Sequence, residues 1–201
     1  MKQFTQVIAL SFFLMASQAA NAALNVFTCE PEWGALAQEL GGDKVSVFNA
    51  TNALQDVHHI DAKPSLVAQL RKADLLLCTG SELEISWLPV LLSQAVNVNV
   101  VVGKPGNFEA AHYVRMLEVP TRLERADCDV YLGCNLHIQT DPRNINKVAE
   151  ALVLRLAEIN TVNAGFYQKR YQYFVLRWQN AIKRWEAEAA PLKGAAIVVQ
   201  Y

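Results

Sequence analysis

The chain has 201 residues, 52% of them hydrophobic and 18% charged, which excludes a disordered or collagen-like polymer and suits one folded domain, or one domain plus a fragment. Its net charge of −1, with no Lys/Arg cluster, excludes a basic field for nucleic acid.

The first 22 residues stand apart. Lys2 gives a short positive start, Val7 to Ala16 is apolar, and Ala20-Asn21-Ala22 forms a small-x-small cleavage site. This is the pattern of a secretory signal peptide, too short and wrongly flanked for a membrane span. No later stretch is long and apolar enough to cross a bilayer, so the mature chain is expected to be soluble in an oxidising, exported compartment. There the four cysteines, Cys29, Cys78, Cys128 and Cys134, are expected to form disulfides. They contain no CxxC pair, and they allow three pairings between which spacing does not choose.

Leu24 to Thr28 reads as a first strand. Glu32 to Leu40 follows with Trp33, Leu36, Ala37 and Leu40 at helical spacing, stopped by Gly41-Gly42. Val45 to Asn49 alternates as a second strand. Ser65 to Lys72 is a short helix after Pro64. Ala73 to Cys78 is a continuous apolar run, the pattern of a strand covered on both faces. Glu84 to Gln94 is helix-like, and Val96 to Val102 is expected as a fourth strand. This alternation predicts an α/β fold, a parallel-sheet lobe with flanking helices. Ligands of such sheets bind beyond the carboxyl ends of the strands, after Thr28, Asn49 and Cys78. Gly103 to Leu136 looks irregular. A helix is expected from Asn144 to Ile159 and a long one from Ala164 to Ala189, ended by Pro191 and Gly194. Ala195 to Tyr201 reads as the first strand of a further sheet.

Chemistry-bearing motifs are few. There is no G-x-S-x-G, H-E-x-x-H, P-loop or dinucleotide fingerprint. The four histidines are His58 and His59 in the loop after the second strand, His112, and His137 just before a helix. Neutral imidazole is the commonest protein ligand for zinc and related ions, and His58 and His137 lie in loops able to meet at one rim of the sheet. Glu30 and Glu82, near strand ends, are candidate acids for a metal-dependent hydrolase, although surface or capping roles are expected for them.

The segment DVHHIDAKPSLVAQLRKADLLLCTGSELEISWL resembles the signature of the bacterial solute-binding proteins that deliver zinc or manganese to ABC importers. NLHIQTDPRN resembles that family's second metal segment, a histidine a few residues ahead of Asp-Pro. Val57, Ile60, Asp61 and Ala62 depart from the usual Pro, aromatic, Glu and Pro, and Leu136 replaces a frequent Pro. The resemblance covers essentially residues 24–201. It implies periplasmic, non-catalytic capture of a divalent metal, Zn2+ with Mn2+ as alternative, for an inner-membrane ABC importer permease. It implies His58 and His137 as metal ligands and His59, at a variable position, as a local substitute. Further ligands would come from a second lobe. The implied organisation is a signal peptide at 1–22, an N-terminal α/β metal-binding lobe at 23–160, a long linker helix at 161–190, and the start of a truncated C-terminal lobe at 191–201. The family's sheet order makes the first and third strands neighbours and so pairs Cys29 with Cys78, leaving Cys128 with Cys134. The alternatives are a secreted metal-dependent hydrolase and a truncated fragment that binds nothing.

Overall fold

The computed structural model describes residues 22–117 and 137–196. The signal-peptide segment, Cys128, Cys134 and all but the first two residues of the expected last strand lie outside the described residues. Four parallel strands form one sheet in the order β2-β1-β3-β4: β1 (Leu24–Thr28), β2 (Val45–Asn49), β3 (Leu75–Cys78) and β4 (Asn107–Glu109). The helices are α1 (Pro31–Gly41), α2 (Pro64–Leu70), α3 (Leu88–Ala95), α4 (Pro142–Ile159) and α5 (Ala164–Ala189). None among the described residues is long and apolar enough to cross a membrane.

The apolar run of β3 is explained by two cores, one on each face of the sheet. Side chains alternate across a strand, so Leu75 and Leu77 point to one face and Leu76 and Cys78 to the other. The first core joins Val26, Leu75, Leu77 and Phe108 to Trp33, Leu36 and Leu40 of α1 and to Val148, Leu152 and Leu156 of α4. The second joins Phe27 and Leu76 to Leu66 and Leu70 of α2, to Trp87, and to Leu91 of α3. A strand between two helical layers has no solvent face, which is why its sequence shows no polar alternation.

Local chemistry sets the helix starts. Pro31, Pro64, Pro89 and Pro142 occupy first-turn positions, where a missing N–H costs nothing. Asp141 caps α4, its Oδ1 accepting from Arg143 N at 2.8 Å. α5 lies against α4 and α1 through buried Tyr167 and Phe174. The Trp178 indole N–H donates to Pro142 O at 2.7 Å, tying the long helix to the start of α4. Tyr173, Leu176 and Trp185 of α5 remain exposed.

One expected element is corrected. Residues 96–102 form no strand; β4 comes later, at Asn107–Glu109. Val96 ends α3 in the left-handed region, with φ 51°. Buried Asn97 then donates its side-chain N–H groups to Leu70 O (2.8 Å) and Ala73 O (2.7 Å), and its Oδ1 accepts from Asn99 N at 3.0 Å. Asparagine side chains compete with a strand ladder in this way, and the Val/Asn alternation becomes a turn. Val96 is 76% exposed. Val96→Gly is therefore expected to raise stability by about 1 kcal/mol, since glycine enters the left-handed region without the cost a β-branched residue bears. A lower urea midpoint in the variant would contradict the turn.

Candidate metal centre

Parallel pairing decides what meets at the carboxyl rim. Thr28 is in register with Leu77, and Cys29 N donates to Leu77 O at 3.0 Å. The residues just past this register, Cys29 and Cys78, have Cα atoms 4.8 Å apart and form a disulfide across 49 residues of sequence. Both are fully buried.

Beside the bridge lie two carboxyl groups. Glu30 is 4% exposed and Glu84 3%. This corrects the surface or capping role expected for Glu30: it stands at the N-cap position of α1 but makes no side-chain cap bond. Its Oε2 accepts instead from Thr79 N and from Thr79 Oγ1, each at 3.1 Å, while the Trp33 indole N–H donates to Thr79 Oγ1 at 2.8 Å. Glu84 Oε1 accepts from Thr79 N at 2.9 Å, and Gly80 N reaches its two oxygens at 3.3 and 3.2 Å. Burial, then the Glu84 charge, then the hydrogen bond to Glu84 push the Glu30 carboxyl up to about 9. Burial also raises Glu84, against backbone donors and the Glu30 bond that lower it. Glu30 therefore holds the proton at neutral pH and Glu84 is the better acceptor of the two. Glu30 Oε1, buried and accepting no hydrogen bond, is the natural position for that proton. The chain then turns through positive φ at Gly80 (79°), Ser81 (53°) and Glu82 (72°). A Cβ on Gly80 would lie 2.8 Å from Glu109 Oε2. Sequence reasoning singled out neither the burial of Glu30 nor Glu84 at all; the one available signal was the repeat of Glu just past two strand ends.

The His58 loop follows β2 at the same rim. Asp56 Oδ1 accepts from His58 N at 2.9 Å, and Asp56 Oδ2 meets His59 Nδ1 at 2.9 Å. The His59 ring bond, then the His58 N–H, hold the exposed Asp56 carboxyl below its usual range. The loop is fastened from the segment after β3. Ser86 Oγ donates to His58 O, and the Trp87 indole N–H donates to Val57 O at 2.9 Å. Trp87 itself is buried in the second core, so the loop is tied to a packed part of the lobe. His58 is half-buried, whereas His59 is exposed. Trp87→Phe keeps the ring in the core and removes the donor. It is expected to cost about 1 kcal/mol of stability and to weaken metal binding through a looser His58 loop. Unchanged zinc affinity in a folded variant would separate Trp87 from the site.

His137 precedes a short turn, Ile138–Thr140, that leads into α4. Its carbonyl accepts from Thr140 N (3.1 Å) and Thr140 Oγ1 (2.7 Å), and Asn144 Nδ2 donates to Ile138 O at 3.1 Å. Gln139 and Thr140 line a cavity of about 750 Å³ with Glu32 in the first turn of α1, Arg177 and Trp178. The His137 segment thus borders the turn that begins beyond the carboxyl end of β1. His112 pairs with Glu109 at 3.4 Å on the surface. Among the described residues, the group of three or more metal-type ligands that lies together is Cys29, Cys78 and Glu84, and it includes no histidine.

Residues 26–201 match the family model described as zinc-uptake complex component A, periplasmic. No curated protein matches the chain. Similar solved structures include a zinc-bound ZnuA deletion mutant, with TM-score 0.65 and 23% identity over 79% of this chain and 55% of that one. Zn(II)-bound AdcA from Streptococcus pneumoniae gives 0.62 and 17%, over 83% of this chain and 32% of that one. An Mn-bound periplasmic metal-binding protein from Candidatus Liberibacter asiaticus gives 0.60 and 18%, over 84% and 55%. At these identities the likeness is one of fold. The chain spans about half the length of the ZnuA structures it matches.

Proposed function

The chain belongs to the zinc-uptake complex component A family of periplasmic proteins, and from that premise we propose that it captures a divalent transition metal, zinc in preference to manganese, for an inner-membrane ABC importer. His58 and His137 are the proposed ligands, with His59 as a local substitute for His58. The role is non-catalytic. Export through the leader at residues 1–22 is part of the same proposal.

The observation that carries it is the fastening of the His58 loop. Val57 and His58 are held by their carbonyls from Trp87 and Ser86, and His58 N by Asp56, so the backbone that carries the His58 ring is ordered. Order imposed on backbone carbonyls of an otherwise exposed loop is expected where side-chain direction matters. Imidazole donors in both segments favour borderline-soft zinc over manganese, which prefers carboxylates. The similar solved structures span both metals, one zinc-bound and one Mn-bound. The domain division follows the same reading: residues 23–160 as the metal lobe, 161–190 as the linker helix and 191–201 as the start of a second lobe. The exposed Tyr173, Leu176 and Trp185 of α5 support a linker that meets further structure.

Zinc titration calorimetry on residues 23–201, in parallel with His58→Ala and His137→Ala, tests the ligand set. Each substitution is expected to lower affinity by about tenfold or more, as loss of a ligand exceeds loss of its supporting shell. Tight binding that survives in the double variant would remove both histidines from the site.

A further inference from the structure

We propose a second, redox-gated cation site at the carboxyl ends of β1 and β3, formed by Cys29, Cys78 and Glu84 once their disulfide is reduced. It is distinct from the histidine site, shares no residue with it, and takes a borderline-soft divalent cation such as zinc.

Three observations carry it. First, the two sulfurs and a Glu84 carboxylate oxygen already lie within 4.8 Å of one another, and all three residues are buried. Two sulfurs bound at about 2.3 Å to a tetrahedral zinc stand ~3.8 Å apart, a spacing reached by modest side-chain rotation once the S–S bond is broken. Second, the carboxylate is already positioned. Thr79 N and Gly80 N fix its orientation, and with the Glu30 carboxyl these three donors leave one of roughly four acceptor positions on its oxygens. Third, a cavity adjoins the cluster on the side of Cys78 and Glu84. A cavity of about 340 Å³ is lined by Cys78, Glu84, Gly80, Phe108 and Glu109. A water there would complete four-coordination beside three protein ligands, the arrangement of open zinc sites.

Charge supplies the driving force. Two thiolates and a carboxylate buried together are strongly unfavourable without a cation, and a divalent ion compensates two of the three charges. Thiolate donors select zinc or copper over the hard cations that a carboxylate pair alone would take.

The chemistry balances. A dithiol gives two electrons and two protons to the bridge; the S–S bond breaks, two Cys S–H groups form, and the dithiol becomes its own disulfide. Zn2+ then displaces both thiol protons into solvent, forming two S–Zn bonds and one O–Zn bond. In the disulfide form neither sulfur is a thiolate and the site is closed to metal.

The test uses the chain carrying Cys128→Ser, Cys134→Ser, His58→Ala and His137→Ala, so that neither the other cysteines nor the proposed histidine site contributes. A phosphine reductant, which takes oxygen from water as it becomes the phosphine oxide, opens the bridge without adding a competing thiol. Co2+ is the probe. The expected result is thiolate-to-cobalt charge-transfer absorption saturating at one equivalent in the reduced protein, bleached by zinc and missing from the oxidised protein. Glu84→Gln is expected to lower the affinity by about tenfold or more. A second measurement needs no substitution: zinc should slow alkylation of Cys29 and Cys78 in the reduced native chain, read by peptide mass. No absorption, absorption that persists in Cys78→Ser, or alkylation at equal rates with and without zinc would each overturn the proposal. The histidine reading stands or falls independently, since its ligands are removed in the first experiment.

Discussion

Replacing both bridging residues, Cys29→Ala with Cys78→Ala, is expected to cost about 4 kcal/mol of folding stability. The bridge spans 49 residues and closes a loop that holds α1, β2, α2 and β3. In the chain-entropy account, cross-linking removes the conformations in which those ends are far apart from the unfolded ensemble, and a loop of this length gives that magnitude at room temperature. The location adds to it. Both sulfurs are buried in the second core, against Phe27, Leu76 and Trp87, so alanine also leaves unfilled volume. Urea unfolding of the variant against the oxidised chain measures the difference. A loss below about 1 kcal/mol would mean that the unfolded chain already keeps these strands together.

Stability is expected to fall as pH rises from about 5 to 9, and Glu30→Gln is expected to flatten that fall. Glu30 is lifted from an ordinary value of 4.5 to about 9 by burial, by the Glu84 charge and by the hydrogen bond to Glu84. Between those values the folded protein binds a proton that the unfolded chain has lost. The contribution is therefore fully present below the unfolded value and is lost as pH climbs through the folded one, with a limiting slope of ~1.4 kcal/mol per pH unit. Glu84, also raised, acts in the same direction. Asp56 and Asp43 are lowered and act oppositely, but both carboxyls sit in solvent, where such pairs contribute little. Glutamine at position 30 keeps the shape and donates permanently to Glu84, so the alkaline limb should level out. Urea midpoints across this pH range decide it. A Glu30→Gln variant whose stability falls with pH as steeply as the parent would show that Glu30 is not the titrating group.

Several features follow from local sequence alone. β1 and β2 run over the residues where apolar patterning places them, and α5 runs over the whole expected span from Ala164 to Ala189. These segments are strongly patterned and end at glycine, proline or polar breaks, so neighbours within a turn or two decide their state. The doubly covered character of β3 was equally readable, because a strand with no solvent face has no polar positions. The proposed metal loop at His58 is recognisable for the same kind of reason: the motif is contiguous.

What the tertiary structure alone decided involves partners far apart in the chain. Val96 to Val102 carries a strand's alternation, yet Asn97 bonds Leu70 and Ala73 on the neighbouring helix end, and those acceptors exist only after packing. The strand order β2-β1-β3-β4 selects which cysteines meet, a choice among three pairings that spacing leaves open. Glu30 and Glu84 look like ordinary surface acids in sequence. The burial of both, and the protonation of Glu30, arise from Thr79, Trp33 and one another, brought in from up to 54 residues away. The His58 loop is likewise held by Ser86 and Trp87, about thirty residues downstream. Hydrophobic periodicity reports the next turn of helix or strand, whereas burial of charge and the aim of a ligand depend on which distant backbone groups remain unpaired once the sheet has closed.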